Sequence, residues 1–203
     1  MIAIIDYGVG NLTSILNMHS RLGIEAVVTG DAAVIANAGK LLIPGVGNFD
    51  KCMQNFNASG LRPLVEKRAL EEKVPVLGIC VGAQMMTRAS EEGQEKGLGW
   101  VSAETVRFKL SPTGTLKVPH MGWTDIRPLG APALLADMPE EPRFYFAHSY
   151  HFNFDSPEQV RAMADYGYEF VCAFQKDNIW GVQFHPEKSH KYGMKIIANF
   201  ASL

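Results

Sequence analysis

The sequence predicts an α/β fold built on a mixed, mostly parallel central sheet with flanking helices. Three observations carry this expectation. Short apolar runs alternate with segments of helical periodicity through the N-terminal half. One of those runs, at 74–79, passes through Cys80, flanked by Gly78 and Gly82, directly into a helix-like segment. The C-terminal half breaks into shorter runs punctuated by Gly and Pro, which extend the sheet rather than found a second domain.

Residues 1–6 read as a buried strand closed by the turn Tyr7-Gly8-Val9-Gly10. Leu12, Ile15, Leu16 and Met18 fall at helical spacing over 11–22, and Gly23 stands where a left-handed cap ends a helix. Strands follow at 25–29 and 40–43, the second broken by Pro44-Gly45-Val46-Gly47. A charged amphipathic helix covers 62–72, and the strand at 74–79 follows it. Segments at 97–100, 101–108 and 119–126 are shorter, and further strands lie at 143–148, 162–164, 170–174 and 179–184. A helix at 192–200 completes the series. Strands alternating with helices in short units imply parallel pairing through crossover helices.

A chain of 203 residues suits one domain spanning 1–203. Its 47% hydrophobic and 20% charged residues are ordinary for a globular protein with a sizeable core. A net charge of -2 leaves no electrostatic footprint for nucleic acid or an anionic membrane surface. No apolar run is long enough to cross a bilayer, and the first residues lack the basic region of a signal peptide. The expectation is a soluble, cytoplasmic protein. The three cysteines are too widely spaced for a disulfide framework or a metal knuckle, so Cys52 and Cys172 read as structural thiols.

Cys80 is different. A residue on a strand-to-helix hinge is pushed out at the carboxyl edge of the sheet, beside a helix N-terminus that favours the thiolate. The competing reading is a small buried hydrophobe, a common fate of free cysteine. A thiol nucleophile needs a base and a group to orient it. His185-Pro186-Glu187 follows an apolar run, and extended geometry would point His185 and Glu187 to the same side. The alternative is a solvated strand end. In Pro44-Gly45-Val46-Gly47, two glycines around a valine allow backbone N–H groups to face an oxyanion, and Val81 would add another N–H. An ordinary tight turn fits the same residues. Gly8-Val9-Gly10-Asn11 lacks the rest of a phosphate-loop pattern. His148-Ser149-Tyr150-His151 offers either a rim that clamps a polar substrate or a polar strand end, the latter reading applying best to His151. His120 reads as structural, and His19 and His190 have no catalytic context.

Six stretches in order resemble the class I (triad-type) glutamine amidotransferases: Asp6 to Leu12, Pro44 to Gly47, Gly78 to Gln84, Pro119 to Trp123, Tyr145 to Tyr150, and Gln183 to Ser189, with the nucleophile hinge among them. Within these, the chain is similar to the glutaminase-subunit family of imidazole glycerol phosphate synthase. The resemblance implies a flavodoxin-like three-layer sandwich. It implies Cys80 as nucleophile, His185 as general base and acid, and Glu187 as its orienting partner. It also implies glutamine binding by Gln84, His148, Ser149 and Tyr150, a mobile oxyanion element at Val46 and Gly47, and no metal or organic cofactor. Asn11, Trp123, Tyr145 and Lys188 would face a (β/α)8-barrel synthase subunit, which receives ammonia from glutamine for histidine biosynthesis. Val81, Ala83 and Thr124 depart from the usual pattern. Residues 117–120 and 185–193 resemble a side branch that supplies ammonia for amidino-sugars of surface polysaccharides, an alternative acceptor. A stand-alone Cys-His γ-glutamyl hydrolase is a further alternative.

Overall fold

The computed structural model describes all 203 residues. The N-terminal half runs β1 (Ile2–Ile5), α1 (Leu12–Arg21), β2 (Ala26–Thr29), α2 (Ala32–Asn37), β3 (Lys40–Gly45), α3 (Phe49–Ala58), α4 (Arg62–Glu66), β4 (Val76–Cys80) and α5 (Val81–Gln84). The remainder runs β5 (Ala103–Arg107), β6 (His120–Pro128), β7 (Arg143–His148), β8 (Tyr150–Phe154), β9 (Val160–Asp165), β10 (Glu169–Lys176), β11 (Ile179–Val182) and α6 (His190–Ser202). No helix is long and apolar enough to cross a membrane.

The strands lie in the order β2-β1-β3-β4-β11-β10-β9-β6-β7, with β8 on β10 and β5 on β8. From β2 to β11 the pairing is parallel. From β11 onward it is antiparallel. The sheet is therefore mixed as expected, with its parallel part confined to five adjacent strands. β1, β4 and β11 are buried along their whole length, as strands covered on both faces must be.

The chain steps from β1 outward to β2, then back past β1 to β3 and β4. Right-handed crossovers consequently place α1 on one face of the sheet and α2 and α4 on the other. Contacts agree: α1 packs on α6, and α2 on α4. The reversal between β1 and β3 opens a crevice at the carboxyl ends of the strands, where α/β sheets bind ligands.

Several elements differ from the sequence expectation. β3 is not broken at Pro44; it runs to Gly45, because β1 has already ended there and Pro44 needs no amide on that side. The helix over 62–72 is real but widens into a π turn at Lys67–Glu71. α2, α3 and β8 were not expected. α3 is capped by the Asn48 side chain, which accepts from the Lys51 amide, and buries Phe49, Cys52, Met53 and Phe56 along one stripe. α5 is a single helical turn.

Candidate active site

Three loops converge at the crevice. Gly8–Asn11 follows β1, Pro44–Gly47 ends β3, and Cys80 ends β4. Cys80 has φ 52° and ψ -115°, a strained backbone for a residue with a side chain. It is held by contacts that admit no Cβ. A methyl on Gly82 would sit 2.0 Å from the Ile43 carbonyl oxygen, and one on Gly45 would sit 2.3 Å from the Gly82 nitrogen. α5 therefore begins directly against β3, and the hinge has no slack.

His185 lies three residues beyond β11, not on the strand itself. Its amide donates to the Tyr145 carbonyl at 2.9 Å, which ties it to β7. A 3-10 turn at Pro186–Lys188 then folds Glu187 back. The sequence reading placed Glu187 beside His185 through continued extension; the turn brings about the same contact instead. His185 Nδ1 donates to Glu187 Oε1 at 2.8 Å, and both side chains are almost wholly buried. Glu187 Oε2 has no protein partner. Burial alone would lower the His185 pKa, but the Cys80 sulfur and the Glu187 carboxylate outweigh it and raise it to about 10. The arrangement favours an imidazolium at His185, beside the Cys80 sulfur.

A cleft of about 300 Å³ opens over Cys80. It is lined by Val46, Gly47, Val81, Gln84, His148, Ser149, Tyr150, His185 and Lys188 among others. That volume lies at the small end of the range for ligand pockets. All three residues expected to supply oxyanion donors, Val46, Gly47 and Val81, are therefore at the cleft wall. Gly47 adopts φ 89°, and the Val46 carbonyl accepts from the buried Cys52 thiol at 3.5 Å. Burial pushes that thiol up to about 11, so it stays protonated and donates.

The expected glutamine-binding residues are engaged more tightly than the sequence suggested. Gln84 Nε2 donates to the Tyr150 carbonyl at 3.2 Å and to Gln183 Oε1 at 3.1 Å. Both its amide hydrogens are used, which leaves only its oxygen for a ligand. His148 Nδ1 is 2.7 Å from the same Tyr150 carbonyl, and its Nε2 is 3.0 Å from His120 Nδ1. Burial holds both imidazoles neutral, lowering His148 well below the usual range and His120 to about 4. A carbonyl only accepts, so His148 Nδ1 carries the proton, His120 Nδ1 donates to His148 Nε2, and Thr124 donates to His120 Nε2 at 2.8 Å. Both His148 ring nitrogens are thus engaged within the protein. His120 is structural, as expected, and His151, near the start of β8, is buried against the Tyr168 hydroxyl.

Three of the four residues expected at a partner surface gather beside the cleft. Trp123 and Tyr145 are paired across β6 and β7 with their rings 6.3 Å apart, and Lys188 Nζ lies 5.5 Å from the Tyr145 ring. Trp123 is 42% exposed and stacks on His190. Asn11 stands apart at the start of α1, though its neighbour Gly10 lies against Pro44. Sequence reasoning missed Glu92, which lines the cleft and accepts from the Phe49 amide at 2.7 Å. It also missed Gln183, wholly buried behind Cys80. Glu92 lies in a plain acidic stretch with no local signal, whereas Gln183 lies inside a recognised stretch.

The family model for glutamine amidotransferase class-I matches residues 3–202. The chain belongs to the class-I glutamine amidotransferase family. Its relatives span its whole length. It is 48% identical over 200 residues to imidazole glycerol phosphate synthase subunit HisH 2 of Methanococcus maripaludis, covering 98% of each chain. It is 45% identical over 204 residues to the HisH subunit of Bdellovibrio bacteriovorus, and 44% over 203 residues to subunit HisH 2 of Pseudomonas aeruginosa, covering 100% of each chain in both cases. Among solved structures, a glutamine amidotransferase superposes with TM-score 0.76 at 19% identity, covering 100% of both chains. PurLQS from Thermotoga maritima superposes with TM-score 0.70 at 16% identity, covering 99% of this chain and 97% of that one. At those identities the class-I amidotransferase structures establish the shared three-layer fold.

Proposed function

We propose that this chain is the glutaminase subunit of an imidazole glycerol phosphate synthase. It hydrolyses glutamine to glutamate and ammonia and passes the ammonia to a (β/α)8-barrel subunit. The observation that carries the reading is the strained Cys80 beside a His185 whose pKa is raised and whose Nδ1 is held by buried Glu187. The full-length relatives named as synthase subunits support the acceptor.

The chemistry follows from these atoms. The Cys80 thiolate attacks the carboxamide carbon of glutamine. The resulting oxyanion is met by N–H donors among Val46, Gly47 and Val81, each contributing about 2.7–4 kcal/mol. The C–N bond breaks as the His185 imidazolium gives its Nε2 proton to the nitrogen, which leaves as neutral ammonia. The thioester remains on Cys80. Neutral His185 next takes a proton from water, hydroxide adds to the thioester, and glutamate departs as the thiolate returns. Glu187 holds the imidazole in the tautomer that points Nε2 at the reaction. The Gln84 oxygen and the Glu92 carboxylate can accept from the α-ammonium of glutamine. Ser149 and Tyr150 present their backbone, held by His148, to its other end. No metal or organic cofactor takes part.

Trp123, Tyr145 and Lys188 form the docking face for the barrel, with Asn11 at its margin. The protein works in the cytoplasm as a single domain and has no nucleic-acid or membrane partner. Glycines on either side of Val46 make a change in its peptide orientation inexpensive, so partner binding can gate the oxyanion donors.

The test is glutamine turnover by the chain alone and with the barrel that co-purifies with it, loaded with its nucleotide substrate. Turnover rising severalfold in the loaded complex supports the reading. Equal rates would overturn the gating, and a co-purifying synthase for surface-glycan amidino-sugars would reassign the acceptor.

A further inference from the structure

We infer that Gln183 is a further catalytic residue, whose side-chain amide donates to the Cys80 sulfur and helps to hold it as thiolate. The inference rests on the reading of Cys80 as nucleophile. Gln183 Nε2 lies 3.7 Å from Cys80 Sγ, within reach of a hydrogen bond to sulfur, and the residue is fully buried.

The orientation of this amide is dictated by its surroundings. The Tyr150 carbonyl can only accept, so Gln84 must turn its Nε2 toward it. The second hydrogen of that same nitrogen then points at Gln183, which must present its oxygen. The Gln183 N–H group is left facing the sulfur. Reversing the Gln183 amide would set two NH2 groups against each other and a carbonyl oxygen against the thiolate. The side chain is also placed by the backbone. The Gln183 amide donates to the Cys172 carbonyl at 2.9 Å, and alternation sends Phe184 the other way, onto Phe144 at 3.9 Å. Gln183 and His185 therefore reach Cys80 from the same side of one extended segment.

A buried amide is costly unless its donors are used, and a hydrogen bond to an ionised acceptor is stronger than one to a neutral group. Sulfur is the partner that the Gln183 N–H finds, and the bond is strongest when that sulfur is a thiolate. An apolar residue here would leave both the second Gln84 N–H and the Cys80 sulfur without this partner. The amide instead donates to the nucleophilic sulfur and stabilises negative charge on it, alongside the His185 imidazolium.

Gln183→Met keeps the length and removes the donor, while Gln183→Glu puts a carboxylate beside the sulfur. Iodoacetamide alkylation of Cys80, followed against pH by mass spectrometry, should show its midpoint rise by about one unit in Gln183→Met and further in Gln183→Glu. Glutamine kcat at neutral pH should fall about tenfold in Gln183→Met, with KM changed by less than about threefold. Unchanged midpoints and kcat would overturn the inference, as would Gln183→Glu lowering the midpoint. Cys52 and Cys172 are buried, so their failure to alkylate reports that each variant is folded. Should neither variant fold, the wild-type Gln183 side-chain amide resonance is followed through the alkylation midpoint. Movement with Cys80 ionisation supports the bond, and a constant signal overturns it. If Cys80 were not the nucleophile, the wild type would stay active after full Cys80 alkylation, which separates that failure from this one.

Discussion

Cys80 keeps a left-handed φ because β4 and α5 leave it no alternative, and strain of this kind costs about 1–3 kcal/mol. Removing the side chain should release it. Cys80→Gly is therefore expected to be about 1 kcal/mol more stable than Cys80→Ala, measured by urea unfolding with equal slopes. Equal midpoints would mean that the hinge is unstrained. The second prediction at this scale concerns His185. Its pKa is raised in the folded protein, so the stability it contributes is complete below its unfolded pKa of about 6.5 and fades as pH climbs toward about 10. Nitrogen NMR should find the ring doubly protonated at pH 8, with a smaller protonated fraction at that pH in Glu187→Gln, where the larger effect of Cys80 remains. A ring already neutral at pH 8 in the wild type would contradict the ion pair. Cys80, His185 and Glu187 were legible in the sequence because their chemistry is packed into two short stretches. Gln183 was not, since an amide between a valine and a phenylalanine carries no mark of what lies across the sheet.

At the level of elements, the site is assembled by joints between strands that are distant in sequence. Ser189 is one such joint. Its hydroxyl donates to the His185 carbonyl at 2.6 Å and accepts from the Tyr145 amide at 3.0 Å, so β7 and the histidine turn are locked together. Ser189 is fully buried, and Ser189→Ala leaves the Tyr145 amide without a partner and the His185 carbonyl with the Lys188 amide alone. We expect a loss of about 1–3 kcal/mol in urea unfolding, with glutaminase turnover reduced because His185 is no longer held. A variant as stable and active as the wild type would show that the joint is dispensable. The same scale explains what local pattern could not supply. β8 was missed because its residues pair with β5 and touch β10 at a single register position, a context that no period-two alternation encodes. The His120–His148 bond spans 28 residues and depends on the β6–β7 register, which places those two residues opposite one another. α3 did carry the spacing of an amphipathic helix in Phe49, Cys52, Met53 and Phe56, behind the turn residues Pro44 to Gly47.

Across the whole molecule, the parallel half builds the hinge and the cleft, and the antiparallel half supplies their far wall and the exposed aromatic face. β11 belongs to both halves, parallel to β4 and antiparallel to β10, and it leads to His185. A rigid five-strand platform therefore holds the nucleophile, while β6 and β7 carry Trp123 and Tyr145 at the surface. Tyr145 also accepts from the His185 amide, so a partner pressing on that face acts on the element that positions the imidazole. The order of the strands was only half legible, because parallel units announce themselves through alternating strand and helix, whereas the antiparallel order depends on long-range register. The central claim is that the chemistry runs through one thiol. Its most direct test is to treat the full chain with a glutamine-like chloroketone and locate the adduct by mass spectrometry while following glutamine hydrolysis. One adduct per chain on Cys80, with hydrolysis lost in proportion, is the expected result; an adduct on Cys52 or Cys172, or hydrolysis that survives complete labelling of Cys80, would contradict it.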